Sequence, residues 1–551
     1  MPGTRTSSIP ELLLTIDRDG PAALHRQLER GLQDAIRSGR LRPGAPLPST
    51  RALAEELALS RGVVVEAYEQ LTAEGYLETR PGGKTRVAER ADAGQSYSRD
   101  GHRRTRYRRG ARIRAYEPTR TRADRTTADR ATADRTTADR ATADEEPHLE
   151  LEPLAEEEPP GEDVVLPPFA LSRARHDFSY GRPDVSAFPR AAWLRSLRRV
   201  LNEAAAERLS YIDGRGAIEL REALASYLNR VRATSAAPGN IVITNGFAQG
   251  QRLVLQVIRD LRRQHGQRGP VRVAMEDPGQ VDTWRAAKLL GLELVPVPVD
   301  DDGIIVEGLA NTDAAVCVVT PAHEFPTGAV MSPERRAALV RWARERDAFV
   351  LEDDYDAEYR YDREPIGAIQ GLAPDRVIYG GSASKTLAPG LRLAWLILPG
   401  QLVEAFATAK FAGDRGSPSL EQLAFADFLS RGEFDRHLRR MRPIYRARRD
   451  ALLRALAKHL PSVTPVGASA GLHVLALLPA GVDEAAVLAR ADELDIAVDG
   501  LSQYRLAADV PPGLILGYAQ HTESQIEARV ERLAEAIGSH SPAKGSATSE
   551  W

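Results

Sequence analysis

The chain has 551 residues, a formal net charge of −3 and one cysteine. That length predicts several domains, the near-neutral balance leaves any nucleic-acid affinity to local patches, and a lone thiol excludes a disulfide framework, as in a reducing cytoplasm. No apolar run approaches the ~20 residues of a membrane span, Met1–Ser8 lacks the apolar core of a signal peptide, and no Cys/His cluster has metal-ligand spacing.

The first domain is expected over 21–89. Leu24, Leu28, Leu32, Ala35 and Ile36 recur at helical spacing over Ala23–Ser38. Arg42-Pro43-Gly44 breaks that helix. A second helix is expected over Arg51–Ala58, with Ser49 or Thr50 as its cap. Leu59 ends it, and Ser60 caps a third helix through Val63–Leu71. Two short helices joined by a tight turn are a helix-turn-helix. Gly75–Arg80 and Lys84–Ala88 read as strands around Pro81-Gly82-Gly83, forming a wing.

This stretch resembles the winged helix-turn-helix of the GntR regulators. The matching pieces are Arg40–Gly44, Leu47–Arg51, Ser60-Arg61, Ala67–Leu71 and Glu74–Leu77. The resemblance implies double-stranded DNA as partner. It implies Ser49, Thr50, Arg51 and Arg61 at DNA phosphates or base edges. Gly62, Val63, Val64 and Val65 would face the major groove, and Gly83 and Lys84 would lie near the minor groove.

Residues 90–168 are compositionally different. An arginine-rich stretch runs from Arg103 to Arg114. A five-residue repeat begins at Ala123, and an acidic run extends from Asp144 to Asp163. With few apolar residues the segment is expected to be a disordered linker. A period of five keeps no single helix face, which argues against a coiled coil.

In the remaining residues, 169–540, Arg376–Tyr379, ending in Gly380-Gly381, and Leu393–Leu398 read as short buried strands. Ile241–Gln249 reads as strand, tight turn and helix start, so the N–H groups of Gly246, Phe247 and Ala248 favour a phosphate. Thr320–Gly328 follows the strand Ala315–Val319 and is expected to cross the cofactor face, with His323 an ordinary loop histidine. Phe349–Asp356 is an apolar strand running into acidic residues. Ser382-Ala383-Ser384-Lys385 is followed by Arg392. Lysine forms Schiff bases with carbonyl cofactors, and hydroxyls with a guanidinium suit a phosphate. Pyridoxal 5'-phosphate (PLP) carries both groups. Asp353 would face its pyridine nitrogen and Tyr355 its phenolic oxygen.

From about Phe178 to Ile537 the chain resembles a fold-type I PLP aminotransferase. The match rests on Tyr180–Asp184, Tyr211 before Gly214-Arg215-Gly216, Leu220–Leu224, Pro326-Thr327-Gly328, Asp353/Tyr355 and Ser-x-Ser-Lys. It implies an α/β domain with a mostly parallel central sheet and a small α+β C-terminal subdomain. It implies Lys385 as the Schiff-base lysine, Ser382, Ser384 and Arg392 at the phosphate, and Tyr211 reaching the phosphate of the other subunit of a homodimer. A GntR-type head on such a body is similar to the MocR (GabR-like) regulators.

Two positions depart from the aminotransferase pattern. Leu514-Ile515-Leu516-Gly517-Tyr518 has Ile515 where an arginine normally holds the substrate α-carboxylate, and Gln280 stands where an aromatic is usual. Arg505 is considered as a substitute. The expected function is a PLP-dependent cytoplasmic transcriptional regulator that senses PLP, an amine or an amino acid as a Schiff base. The alternative is an active aminotransferase carrying a DNA-binding head. Efficient transamination is not expected.

Overall fold

The computed structural model describes residues 4–6, 14–18, 23–37, 40–42, 44–74, 76–78, 85–88, 174–361, 366–467 and 469–538. The 90–168 segment, and with it the linker reading, lies outside the described residues, as do Gly83 and Lys84.

The head opens with a hairpin of β1 (Thr4–Thr6) and β2 (Thr15–Asp17). It precedes the expected boundary at residue 21. Leu14 and Ile16 are buried in the head core, and Gly31 leaves the space that Leu14 fills. The helices are α1 (Leu24–Arg37), α2 (Thr50–Leu57) and α3 (Arg61–Ala73). Ser49, not Thr50, caps α2 by accepting the Ala52 N–H at 3.2 Å. Left-handed Ala58 ends α2, and Ser60 caps α3 through the Val63 N–H. The wing strands β3 (Leu77–Glu78) and β4 (Arg86–Val87) pair antiparallel, and the backbone of Gly44–Leu47 adds to the outer edge of β4.

In chain order the body contains β5 (His176–Asp177), α4 (Arg190–Glu203), α5 (Ile218–Val231), β6 (Ile241–Thr244), α6 (Phe247–Gln264), β7 (Arg272–Asp277) and α7 (Val281–Leu289). It continues through β8 (Glu293–Asp300), β9 (Gly303–Ile304), β10 (Val316–Val319), α8 (Pro333–Glu345), β11 (Phe349–Asp354), β12 (Val377–Ser382) and β13 (Ala394–Ile397). One sheet runs through these strands in the order β6-β13-β12-β11-β10-β7-β8-β9. The neighbours from β12 through β11, β10 and β7 to β8 are all parallel, and β13 runs against both of its neighbours.

Continuous apolar runs suit a sheet covered on both faces. Along β10, Val316 and Val318 join one core cluster and Cys317 and Val319 another. Strand β12 runs through Gly380 and Gly381 to Ser382. A Cβ at Gly380 would meet the Phe247 ring at 2.2 Å, and one at Gly381 would meet the Trp395 ring at 2.5 Å. Only glycine admits such close packing within a strand.

Helices α9 (Val403–Asp414), α10 (Ser419–Ser430) and α11 (Glu433–His459) lead to the C-terminal subdomain. There β14 (Thr464–Val466), β15 (His473–Leu477), α12 (Glu484–Glu493), β16 (Ile496–Ala497), β17 (Asp499–Gly500), β18 (Gly513–Gly517) and α13 (Glu523–Gly538) follow. The antiparallel sheet β14-β15-β18-β17 is the small α+β unit expected from the sequence, and β16 pairs with β5.

Candidate cofactor site

The expected cofactor residues other than Tyr211 gather at the carboxyl edge of the parallel strands, where open α/β sheets bind ligands. Asp353 lies at the end of β11, Ser382 ends β12, and Asn245-Gly246 links β6 to α6. Because β13 is antiparallel, Arg392 before its start reaches the same edge.

The Lys385 Nζ donates to the Gly181 carbonyl at 2.7 Å. Gly181 has φ +69, and a Cβ there would meet Nζ at 2.7 Å, so this loop needs glycine twice over. Burial pulls the Lys385 amine below its ordinary value, against the opposing pull of Asp356 and Asp353. A lysine so shifted is a better nucleophile. Asp353 is buried and pushed up to about 7, chiefly by desolvation, while the Gln280 amide donates to it at 2.8 Å. A buried carboxyl so poised suits a cationic partner such as a protonated ring nitrogen.

The phosphate seat is assembled from three segments. Arg392 donates to the Asn245 carbonyl at 2.9 Å and lies against Gly246, whose φ is +87. The Gly246 N–H is taken by the Thr244 carbonyl at 2.9 Å, which removes it from the expected donors. The N–H groups of Phe247 and Ala248, which have no partner within α6, follow directly. The Phe247 ring packs over Gly380, so Phe247 offers only its backbone here. Ser382 Oγ accepts the Ser384 N–H at 2.9 Å, placing both hydroxyls in one turn. These donors fit PLP: an amine for its aldehyde, a carboxyl for its ring nitrogen and a cationic cradle for its phosphate.

His323 is more than the ordinary loop residue its sequence suggests. It is fully enclosed, with Nδ1 3.0 Å from Asp356 Oδ2 and 3.1 Å from the Tyr355 hydroxyl. Burial opposes its charge, yet the charge and hydrogen bond of Asp356 outweigh that and hold the imidazole above its usual value. The network fixes Tyr355, which also donates to the His323 carbonyl at 3.1 Å. His323, Asp356 and His473 bring ligand-type atoms within 4.8 Å of one another, a grouping invisible to spacing rules. Burial pushes His473 down to about 3, and its Nε2 lies 3.3 Å from the Pro326 carbonyl. His323 and Asp356 form the hydrogen-bonded support of Tyr355, and the His473 ring packs against His323. The one signal of it along the chain is the carboxylate of Asp356 directly after Tyr355. Thr320 donates both its N–H and its hydroxyl to buried Glu276, which anchors the start of the same loop.

Ile515 is fully buried with Phe325, Leu475, Leu501 and Tyr504, and Tyr180 packs against this cluster. Arg505 does not replace the missing cation: it is exposed, and its Nη1 sits 3.4 Å from the Ala508 carbonyl. Tyr211 is 83% exposed. The loop that carries it is tied by buried Arg221, which donates to the Gly216 and Pro238 carbonyls.

In the head, Arg51 and Arg61 are exposed, as is Gly62, and Val63 is half-buried. Val64 is fully buried in the head core beside Ala67, Tyr68 and Leu71. It leaves the expected groove-facing set, because the face of α3 at positions 64, 67, 68 and 71 packs inward.

Residues 177–533 match the family model described as aminotransferase class I and II, and residues 24–87 match that of the bacterial regulatory proteins, gntR family. The chain is similar to the probable rhizopine catabolism regulatory protein MocR of Rhizobium meliloti, with 30% identity over 513 residues and 92% of each chain covered. It is also similar to the pyridoxine biosynthesis transcriptional regulator PdxR of Corynebacterium glutamicum, at 28% identity over 96% of this chain and 99% of PdxR. Among solved structures, the Pyrococcus horikoshii kynurenine aminotransferase has a TM-score of 0.61 and 27% identity, covering 67% of this chain and 91% of its own. The α-aminoadipate aminotransferase LysN of Thermus thermophilus, in complex with N-(5'-phosphopyridoxyl)-L-leucine, has a TM-score of 0.59 and 26% identity, covering 66% and 92%.

These features define a GntR-type head fused to a fold-type I aminotransferase-like body with pyridoxal phosphate as cofactor. The chain belongs to the MocR subgroup of GntR-family regulators.

Proposed function

We propose that this chain is a cytoplasmic, PLP-dependent transcriptional regulator. Its head binds a double-stranded DNA operator, and its body senses PLP or an amine or amino acid captured on it. The observation that carries the reading is the contrast between a cofactor seat whose lysine, carboxyl and phosphate cradle gather at one strand edge and a substrate-carboxylate position filled by buried Ile515. When bound, PLP supplies an electrophilic carbon and an electron-withdrawing ring. Lys385 offers the amine, Asp353 holds the ring-nitrogen proton, Tyr355 holds the phenolic side, and Arg392 with the α6 N-terminus binds phosphate. No helix among the described residues is long and apolar enough to cross a membrane.

The DNA-binding half is tested by salt dependence. Removing one phosphate contact should flatten the log–log salt slope by about one unit. Arg51→Ala and Arg61→Ala together are expected to reduce the slope by about two units. A folded double variant with an unchanged slope would remove these residues from the DNA surface.

Dimerisation is supported by exposed apolar side chains on α4 and on the segment that leads to Tyr211. Leu194, Leu201 and Leu209 are 54%, 57% and 59% exposed, and large exposed apolar residues in one region mark an interaction surface. We expect Leu194→Glu with Leu201→Glu to convert a dimer into a folded monomer in sedimentation. A variant that remains dimeric would place the interface elsewhere.

A further inference from the structure

A cavity of about 600 Å³ lies between head and body, and no residue of the cofactor seat lines it. Arg26 and Arg30 face it from α1, four residues apart and hence on one side of the helix. Arg439 and Arg442 face it from α11, and Arg230 and Arg232 from the end of α5. The carboxylates in the lining are Asp435 and Glu358. Asp435 is engaged by Arg230 at 2.8 Å, and Arg232 is engaged by Asp354 at 2.7 Å. Arg442 donates its Nε to the Glu358 backbone carbonyl at 2.7 Å, and its terminal nitrogens form no ion pair among the described residues. Exposed Arg439 forms no ion pair there either. On the head side Glu29 and Glu74 lie near Arg26, while Arg30 and Arg442 oppose its charge.

Guanidinium groups brought this close repel one another, and they do so more strongly away from bulk water. Their planar forks match the oxygens of a phosphate. The cavity has room for a small molecule. Its position argues against a DNA backbone as the phosphate source. Glu74, which ends α3, packs beside Gly367 of the body. Arg61 stands at the opposite end of that helix, about 20 Å away at 1.5 Å per residue. The body therefore meets the head at the end remote from Ser60 and Arg61.

We propose that this cavity is a second ligand site, for a small phosphate-bearing anion that ties α1 of the head to α11 of the body. The test uses the full-length PLP-loaded protein, so that the cofactor's own phosphate seat is filled. Inorganic pyrophosphate is titrated calorimetrically at constant ionic strength. Saturable binding is expected, weakened roughly tenfold by Arg26→Ala and by Arg442→Ala, each of which removes one guanidinium from the lining. Arg439→Ala removes an exposed charge without opening the core, so it reports even where the others misfold. In a parallel arm, pyrophosphate should change operator affinity in the parent protein and leave it unchanged in Arg439→Ala. Absent saturable binding, or equal binding by all variants, overturns the site. Competition by a short non-operator duplex for the same arginines overturns the small-molecule assignment. Unchanged operator affinity in the parent protein overturns the tie between head and body.

Discussion

Borohydride reduction of the PLP-loaded protein is expected to leave a stoichiometric covalent adduct on Lys385, and Lys385→Ala is expected to leave none. The reason is electrostatic as much as positional. Lys385 is half-buried at the strand edge, and desolvation lowers its amine toward the neutral, nucleophilic form. Lys410 is also buried close to the phosphate seat, but its Nζ is held by Asp414 at 2.8 Å and Ser417 at 3.1 Å. An ion-paired ammonium has no free electron pair to offer. Peptide mapping of the reduced protein decides the matter, and an adduct on Lys410 would sink the assignment.

Sustained transamination of common α-amino acids is expected to be very slow. A substrate carboxylate entering this site finds Ile515 within an apolar cluster, and Arg505 is turned to solvent. A missing charged hydrogen bond is worth ~1.5–3 kcal/mol, or roughly one to two decades in binding. Misplacement of the reacting atoms adds to that deficit. Gln280 compounds it, because its amide bonds to Asp353 where a stacking ring would otherwise lie. The measurement is multiple-turnover keto-acid formation across a panel of amino donors. Rates on the order of 1–10 s⁻¹, ordinary for enzymes, would promote the alternative of a working aminotransferase with a DNA-binding head.

Much of this protein is legible in one dimension because its chemistry sits in short contiguous segments. Helix caps, the wing strands and the buried parallel strands follow from local spacing. The roles proposed for Ser-x-Ser-Lys and Asp353/Tyr355 rest on residue type and order. The departure at Ile515 is visible in the same way, since a missing cation is a matter of identity.

Other features depend on partners far along the chain. Residue order puts Val64 at the groove with the rest of the recognition-helix start, and only packing against the head core shows which face turns inward. The hairpin ahead of residue 21 joins the head because Leu14 finds the gap over Gly31, an approach no local pattern records. His323 gains its importance from Asp356 and Tyr355, more than thirty residues away, which the sheet brings to the same edge. The arginines on α1 and α11 are separate solvated faces when read along the chain. Only the docking of head on body brings them around one cavity, because charge acts through space while sequence records only order.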